Sequence, residues 1–365
     1  MYEIAIKMLN KLVDNGFKAY IVGGYPRDLI LGRESFDIDI CTSATPRELK
    51  NIFKDSMLPK VEYGSVTVIY HKIRFEITTF RKDLKYENHR LPVKIKYIGK
   101  LIDDLKRRDF TINTLCLDKD GNIIDLLNGK KEIDAKVIKM VGSPKQKLRE
   151  DSLRILRAIR FATILDFELD EELKKYVKKY GYLLKELSYY RKKEELEKIF
   201  LSPNVLKGIN LIKELELDKY LELSNLDNLK ITSSIIGIWA QLDVEEIYSF
   251  SNNEKEAIKQ IKELLNKDIL DDYNLYKYGL YVSSVVAEIK DIDKKILSQK
   301  YNDLPIKNKK EINITAKQIC EILNKQPSAF LKQIFEEIEL NILNRNISND
   351  FESLKKYILS SKKDL

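Results

Sequence analysis

The chain has 365 residues, 44% hydrophobic and 33% charged, and a formal net charge of +8. That length predicts two or three domains, and the composition fits a helix-rich globular protein rather than a disordered or fibrous one. No apolar run approaches the length of a membrane span, Cys41, Cys116 and Cys320 form no CxxC pair, and His71 and His89 are the only histidines, so a membrane partner, a disulfide or zinc framework and a His-rich metal centre are all excluded and a cytoplasmic protein is predicted.

Met1 to Phe17 reads as an amphipathic helix. Ala19 to Val22 is a short apolar run with the character of a buried strand, broken by Gly23-Gly24. Tyr25 to Leu31 follows as a short helix, with Pro26 in its first turn and Gly32 past its end. Phe36-Asp37-Ile38-Asp39-Ile40 alternates apolar and acidic residues, which predicts a strand with Asp37 and Asp39 on one face and Phe36, Ile38 and Ile40 on the other. Carboxylates spaced about 7 Å along a strand can converge on hard divalent cations, which take oxygen ligands. The glycine turn leaves backbone N–H groups, Gly24 among them, open to a phosphate, with Arg27 in reach of the same anion. An isolated Asp-x-Asp is ordinarily a solvated face. Beside a phosphate cradle it is what phosphoryl or nucleotidyl transfer needs.

Thr45 is read as the N-cap of a helix that opens with Pro46 and carries Glu48 in its first turn. Val61 to Tyr70 and Ile73 to Thr79 are read as two strands joined at His71-Lys72, and Glu76 on the second can project toward the Asp37/Asp39 face as a third carboxylate. Lys82 to Lys96, polar and carrying Asn88-His89-Arg90 and Pro92, is read as a flexible loop. In Arg107-Arg108-Asp109-Phe110-Thr111-Ile112-Asn113, Arg108 can neutralise triphosphate charge and Asp109 can accept from a ribose hydroxyl. Glu150 to Phe161 is read as one helix on which Asp151 and Arg154, three apart, are surface neighbours, while Arg160 drifts to nearly the opposite side. Tyr189 to Ile199 is a further helix whose charges read mostly as a solvated face.

Gly-Gly, Arg-Asp, Leu-Gly-Arg and Asp-x-Asp within one strand–turn–helix–strand unit resemble the signature of the nucleotidyltransferase superfamily. The form is that of class II tRNA nucleotidyltransferases (CCA-adding enzymes) and bacterial poly(A) polymerases. RRDFTIN at Arg107–Asn113 resembles the family's second motif, with Thr114 in place of the usual Ala. Ile123 to Gly142 resembles the third, with Asn128-Gly129 where Gly-Gly is usual and Glu132 where Asp is usual. Glu150-Asp151-x-x-Arg154 matches the family's EDxxR, and Tyr189–Ile199 a weaker fifth motif.

The resemblance implies an α+β fold: a small mixed-sheet nucleotidyltransferase head over residues 1–142, then an all-helical neck at 143–202, body at 203–270 and tail at 271–365. It implies template-independent addition of C, C and A to the tRNA 3′ end from CTP and ATP. In that reading Asp37 and Asp39 hold two Mg²⁺ ions, with Glu76 as accompanying catalytic carboxylate. Gly24, Arg27 and Arg108 hold the triphosphate, Asp109 contacts the sugar, Asp151 and Arg154 select the base, and Arg157 and Arg160 serve the phosphates or position the helix. An A-adding-only enzyme and a poly(A) polymerase are the alternatives. The full-length segment between Phe80 and Arg107 argues against an enzyme that adds only C, and no protein partner is predicted. Residues 1–200 carry 41 Lys and Arg against 31 Asp and Glu, whereas 201–365 carry 24 against 26, so attraction for a polyanion is expected in the half with the motifs. Beyond Ser202 the sequence shows only helical periodicity, at Asn204–Leu215, Thr232–Leu242, Asn253–Leu265, Ala316–Leu323 and Ala329–Leu340. Lys307, Lys309, Lys310, Lys355 and Lys356 are candidate phosphate contacts there.

Overall fold

The computed structural model describes residues 1–54, 57–62, 64–87 and 91–361. The chain parts into two compact units, Met1–Glu222 and Leu223–Leu365. The first holds the expected mixed sheet followed by helices; the second is helical.

The first unit opens with α1 (Tyr2–Asp14), whose buried Ala5, Met8, Leu9 and Leu12 recur at helical spacing. Then come β1 (Ala19–Val22), α2 (Gly24–Ile30), β2 (Asp39–Thr42), α3 (Pro46–Ile52), β3 (Met57–Glu62), β4 (Ser65–Tyr70) and β5 (Ile73–Thr79). A hairpin, β6 (Arg81–Glu87) and β7 (Leu91–Tyr97), precedes α4 (Leu101–Leu105), β8 (Cys116–Leu117) and β9 (Ile123–Ile124). The main sheet runs β3-β4-β5-β2-β1-β8-β9, with β2 and β5 parallel and the other neighbours antiparallel. One face packs α1 and α3 through Leu9, Leu12, Leu49 and Phe53 against Ile21, Ile40, Val66, Phe75 and Ile77. The other face is covered by α4, where Leu101 and Leu105 meet Val22, Cys41, Phe80 and Cys116. Thr45 caps α3 as expected, in a reciprocal pair: its side chain accepts from Glu48 N, and Glu48 Oε2 accepts from Thr45 N at 2.7 Å.

Four expectations change. The strand read over Phe36–Ile40 starts only at Asp39. Val22, the last residue of β1, already pairs with Asp39, so nothing is left on that side to hold 36–38 in a ladder, and Phe36 is 75% exposed rather than packed with Ile38. The strand read over Val61–Tyr70 is two antiparallel strands, with Glu62 opposite Ser65 and Gly64 at φ +81° in the turn; Tyr63 lies outside the described residues. The segment read as a flexible loop is the β6–β7 hairpin. Leu91, Val93, Ile95 and Tyr97 alternate with polar residues, a period-two signal that its lysines and Pro92 obscured; Asn88, His89 and Arg90 lie outside the described residues. The helix read over Glu150–Phe161 is two helices, as set out below.

The helical part of the first unit comprises α5 (Gly129–Asp134), α6 (Pro144–Glu150), α7 (Leu153–Leu165), α8 (Glu171–Tyr180), α9 (Tyr189–Phe200), α10 (Val205–Glu214) and α11 (Asp218–Leu221). It is not wholly helical: β10 (Val137–Ile138) and β11 (Glu168–Leu169) form a small parallel pair. The second unit contains α12 (Ile235–Trp239), α13 (Asn252–Leu265), α14 (Asp272–Ile289), α15 (Lys294–Asn302), α16 (Ala316–Leu323), α17 (Phe330–Leu343) and α18 (Phe351–Ser361). Trp239 and Tyr248 are buried in its core. No described helix is long and apolar enough to cross a membrane.

Candidate active site

The site grows from where β1 stops. Gly23 takes φ +92° and ψ −125°, a conformation closed to side-chain-bearing residues, and α2 starts directly after it. A methyl group at Gly23 would stand 3.6 Å from Asp39 Oδ2 and 3.8 Å from Arg108 Nη1. The bare backbone, one metal-type carboxylate and one guanidinium therefore meet at a single point. On the other side of Asp39 the parallel register sets Glu76 directly opposite, which is where period-two reading of β5 aimed it. Asp37 lies two residues before the strand, and Asp37, Asp39 and Glu76 are all exposed. Loss of water to the surrounding protein, and then the charge of Asp37, push the Asp39 pKa up to about 6; Arg108 and Arg157 pull the other way, and Glu76 adds to the rise. Among the described residues no three such side chains are close enough to enclose a metal by themselves. The donor set is nonetheless all carboxylate oxygen, under mutual repulsion and open to solvent, which suits a hard cation that draws further ligands from a bound phosphate.

Arg108 is held by a carboxylate that sequence reading passed over. Asp104, fully buried on α4, lies 2.8 Å from Arg107 Nε and 3.5 Å from Arg108 Nη2, and accepts from the backbone N–H of Arg81 at 3.1 Å. One buried charge thus fixes the arginines of the second motif and the first residue of the β6–β7 hairpin.

Asp109 sits at the centre of a second network. Its Oδ2 accepts from Arg157 Nε at 2.8 Å and Nη2 at 2.5 Å; its Oδ1 accepts from Phe110 N at 2.7 Å and Asn113 Nδ2 at 3.2 Å. Burial alone would raise its pKa, but the Arg157 charge and these hydrogen bonds hold it well below the usual carboxylate range. Asn113 Oδ1 accepts in turn from Arg27 Nη1 at 2.6 Å, and the other edge of Arg27 pairs with Asp28 at 2.9 Å. Arg27 is buried, so it lends charge from behind the glycine turn rather than projecting into solvent. The third motif acts by shape. A side chain at Gly129 would come within 2.3 Å of the Thr111 carbonyl oxygen, so only glycine lets α5 brace the turn that carries Asn113.

Arg27, Arg157 and Arg160 surround the Phe161 ring, with guanidinium carbons 5.2, 5.4 and 4.4 Å from its centroid. Phe110 packs edge-on against the same ring at 5.7 Å. Arg160, expected to turn away from the site, instead makes a buried pair with Glu195 of α9 at 3.1 Å. Burial, with Arg157 adding to it, lowers the Arg160 pKa to about 10. This corrects the reading of α9 as a solvated face: Lys192 and Glu195 are 1% and 4% exposed. Both lie on the turn of α9 that carries Leu196 and Ile199 inward, which sequence periodicity could have indicated. Glu195→Ala is therefore expected to strand a buried guanidinium and destabilise the protein by about 3 kcal/mol, measured by urea unfolding, with Glu195→Gln costing less.

Asp151 and Arg154 are not neighbours on one helical surface. α6 ends at Glu150, Asp151 is extended (φ −142°, ψ 101°), and α7 starts at Leu153. Asp151 Oδ1 accepts from Leu153 N at 3.1 Å. Arg154 is buried and donates to the carbonyls of Lys147 at 2.9 Å and Arg107 at 3.2 Å, with Glu150 3.6 Å away. The kink, not an i,i+3 spacing, sets the relation of the two side chains. Arg154 also ties the end of α6 to the second motif.

The sequence model of the family described as poly A polymerase head domain matches residues 19–139. One described as a probable RNA- and SrmB-binding site of polymerase A matches residues 166–226, and one described as a putative tRNA nucleotidyltransferase domain 2 matches residues 246–358. The CCA-adding enzyme of Limosilactobacillus reuteri is 34% identical over 380 residues, covering 96% of this chain and 94% of its own length. That of Anoxybacillus flavithermus is 33% identical, covering 99% and 98%. Among solved structures, the Bacillus stearothermophilus CCA-adding enzyme in complex with CTP superposes with a TM-score of 0.86 at 26% identity, over 98% of this chain and 97% of that one. The Thermotoga maritima CCA-adding enzyme complexed with tRNA shares the fold, with a TM-score of 0.70 at 21% identity, over 98% and 94%.

Proposed function

We infer residue roles from one premise: the chain belongs to the CCA-adding enzyme family, which it matches over nearly its whole length. It is a tRNA nucleotidyltransferase that adds C, C and A to the tRNA 3′ end from CTP and ATP, releasing pyrophosphate at each step. The poly(A) polymerase and A-adding-only alternatives are not favoured, because full-length relatives are CCA-adding enzymes. The observation that carries the reading is the meeting of Gly23, Asp39 and Arg108 at one point, with Glu76 in register beside it.

Asp37 and Asp39 hold divalent cations, which we take to be Mg²⁺. When bound, such ions acidify the primer 3′-hydroxyl and stabilise the leaving pyrophosphate. Glu76 adds negative charge that keeps the site cation-seeking. The Gly24 N–H and the Arg108 guanidinium take the triphosphate, with Arg27, Arg157 and Arg160 supplying positive charge around Phe161. All four acceptor positions of Asp109 are occupied. Release of Asn113 Nδ2, the longest contact at 3.2 Å, frees one lone pair for a ribose hydroxyl.

Asp151 and Arg154 read the base. Cytosine and adenine each present an amino donor beside a ring-nitrogen acceptor. Uracil and guanine present a carbonyl where that amine would be, so a carboxylate with a guanidinium fits the first two and leaves unpaired acceptors against the others. Arg154→Ala is expected to relax discrimination against UTP by about tenfold or more, read as relative incorporation of UTP and CTP on one tRNA. Unchanged discrimination would remove Arg154 from base selection. We assign residues 1–142 to the catalytic head, 143–202 to the base-reading neck, and 203–270 and 271–365 to a body and tail that carry the tRNA. We place the enzyme in the cytoplasm, in keeping with three free, buried cysteines.

A further inference from the structure

The second unit holds a cleft of about 800 Å³ between the first turns of α14, the 307–309 turn and α17. Its size lies in the range of small-ligand sites. Tyr273 and Leu340, 43% and 44% exposed, form facing apolar walls at its mouth. Tyr276 and Glu339 also line it. Tyr276 Oη and Glu339 Oε1 are both closed to water, yet neither has a well-formed hydrogen bond within the chain. Lys309 Nζ stands 3.0 Å from Glu339 Oε1 as its ion-pair partner, so the carboxylate stays charged while retaining lone pairs for further donors. Burial, and then the Glu339 charge, hold the Tyr276 phenol above its ordinary pKa, so it remains a donor. A buried acceptor with an unspent donor beside it in an open apolar cleft costs stability unless something else completes the bonding.

We propose that this cleft binds a guanosine nucleotide. Guanine alone among the four RNA bases presents, along one edge, a carbonyl acceptor followed by two parallel N–H donors. The Tyr276 hydroxyl can donate to the carbonyl, and the Glu339 carboxylate can accept from both N–H groups, as it would from a guanidinium. Adenine and cytosine place a ring-nitrogen lone pair where the carboxylate needs a donor. Tyr273 and Leu340 sandwich the flat base. Polarity fixes the phosphate: Lys277 and Lys309 line one side of the cleft, while Glu336 and Glu337 on α17 repel it from the other. The chemistry is the same for a free guanosine phosphate and for an unstacked guanosine of bound tRNA. Only the second source rests on the function proposed above.

The test is isothermal titration of the full chain in EDTA with GMP, AMP and CMP, repeated with excess CTP present and with the variants Glu339→Gln and Tyr276→Phe. GMP is expected to bind about tenfold or more tightly than AMP or CMP, to be indifferent to CTP, and to lose about tenfold or more in either variant. Tyr276→Phe keeps the test open should Glu339→Gln fail to give a normal thermal melt. A Glu339→Gln enzyme with raised KM for tRNA and unchanged kcat, and GMP that competes with tRNA, assign the site to a tRNA guanosine. Unchanged KM alongside selective GMP binding assigns it to the free nucleotide. No GMP binding at millimolar concentration, equal binding of all three nucleotides, or variants that bind GMP like the wild type would overturn the proposal. GMP binding is read without any incorporation, so an enzyme that fails to add C would sink the functional reading and leave this one standing.

Discussion

Asp39→Asn is expected to lower incorporation by about a thousandfold or more while raising the Tm of the metal-free protein by a few degrees. The loss follows from removing one of the two carboxylates that hold the catalytic cation. The gain follows from the same carboxylate's discomfort: its pKa stands at about 6 because the protein excludes water around it and Asp37 lies close by. A folded-state pKa above the unfolded value means that the folded protein prefers the protonated group. The associated stability is fully present below about pH 4 and is lost as pH rises through about 6, so the Tm gap between variant and wild type opens over that interval and stays open at neutral pH. Protons and cation also compete for the wild-type carboxylate. The Mg²⁺ concentration giving half-maximal incorporation should rise as pH falls below about 6. Differential scanning across pH with EDTA, paired with Mg²⁺ titrations of activity, measures both. A variant no more stable than wild type at neutral pH would show that Asp39 is not strained in the absence of metal.

Arg157→Ala carries the largest expected stability cost. It leaves the Asp109 carboxylate, 10% exposed, without the two hydrogen bonds and the charge that Arg157 supplies. Breaking such a pair costs about 3 kcal/mol, at the low end of the range because Arg157 itself is 32% exposed. In a unit of this size that corresponds to roughly 6–12 °C in Tm. The sign with pH is opposite to that of Asp39. A depressed folded-state pKa contributes stability above the unfolded value of 3.8, lost as pH falls. In the variant Asp109 takes up a proton more readily, so the gap from wild type narrows toward acidic pH. Adding Asp109→Asn to Arg157→Ala removes the stranded charge, and the double variant should recover much of the lost stability without recovering incorporation. Equal destabilisation of the single and double variants would mean that the network does not depend on this charge pair.

What could be read from the chain alone follows from how local each signal is. Gly23-Gly24, the Asp-x-Asp alternation and the two-residue turn at His71-Lys72 are set by neighbours within a few residues, and they led to Asp39, to the register position of Glu76 and to the glycine cradle. Asp37 was identified, but the strand was drawn two residues too long, because pairing depends on where β1 ends rather than on alternation. Asp104, Asn113 and Glu195 carry the arginine networks, yet their partners lie up to 86 residues away, and an acidic residue on a helix gives no local sign that an arginine elsewhere will bury it. The break between α6 and α7 had a local sign, Asp151-Ser152 ahead of an apolar run, which is a helix start. The continuity of charged and apolar residues through Arg160 masked it. In the second unit helix spacing was legible and chemistry was not, since its cleft is assembled from three separated segments.

The central claim is the reaction itself. Three tRNA transcripts, ending at the discriminator base, at C and at CC, are incubated with Mg²⁺ and CTP alone, ATP alone or both. The account predicts two C additions with CTP alone on the first transcript, one A with ATP alone on the third, and ordered completion to CCA and no further with both. Addition of A alone to the CC-ending transcript, long A tails on unrelated RNA, or no incorporation at all would contradict it.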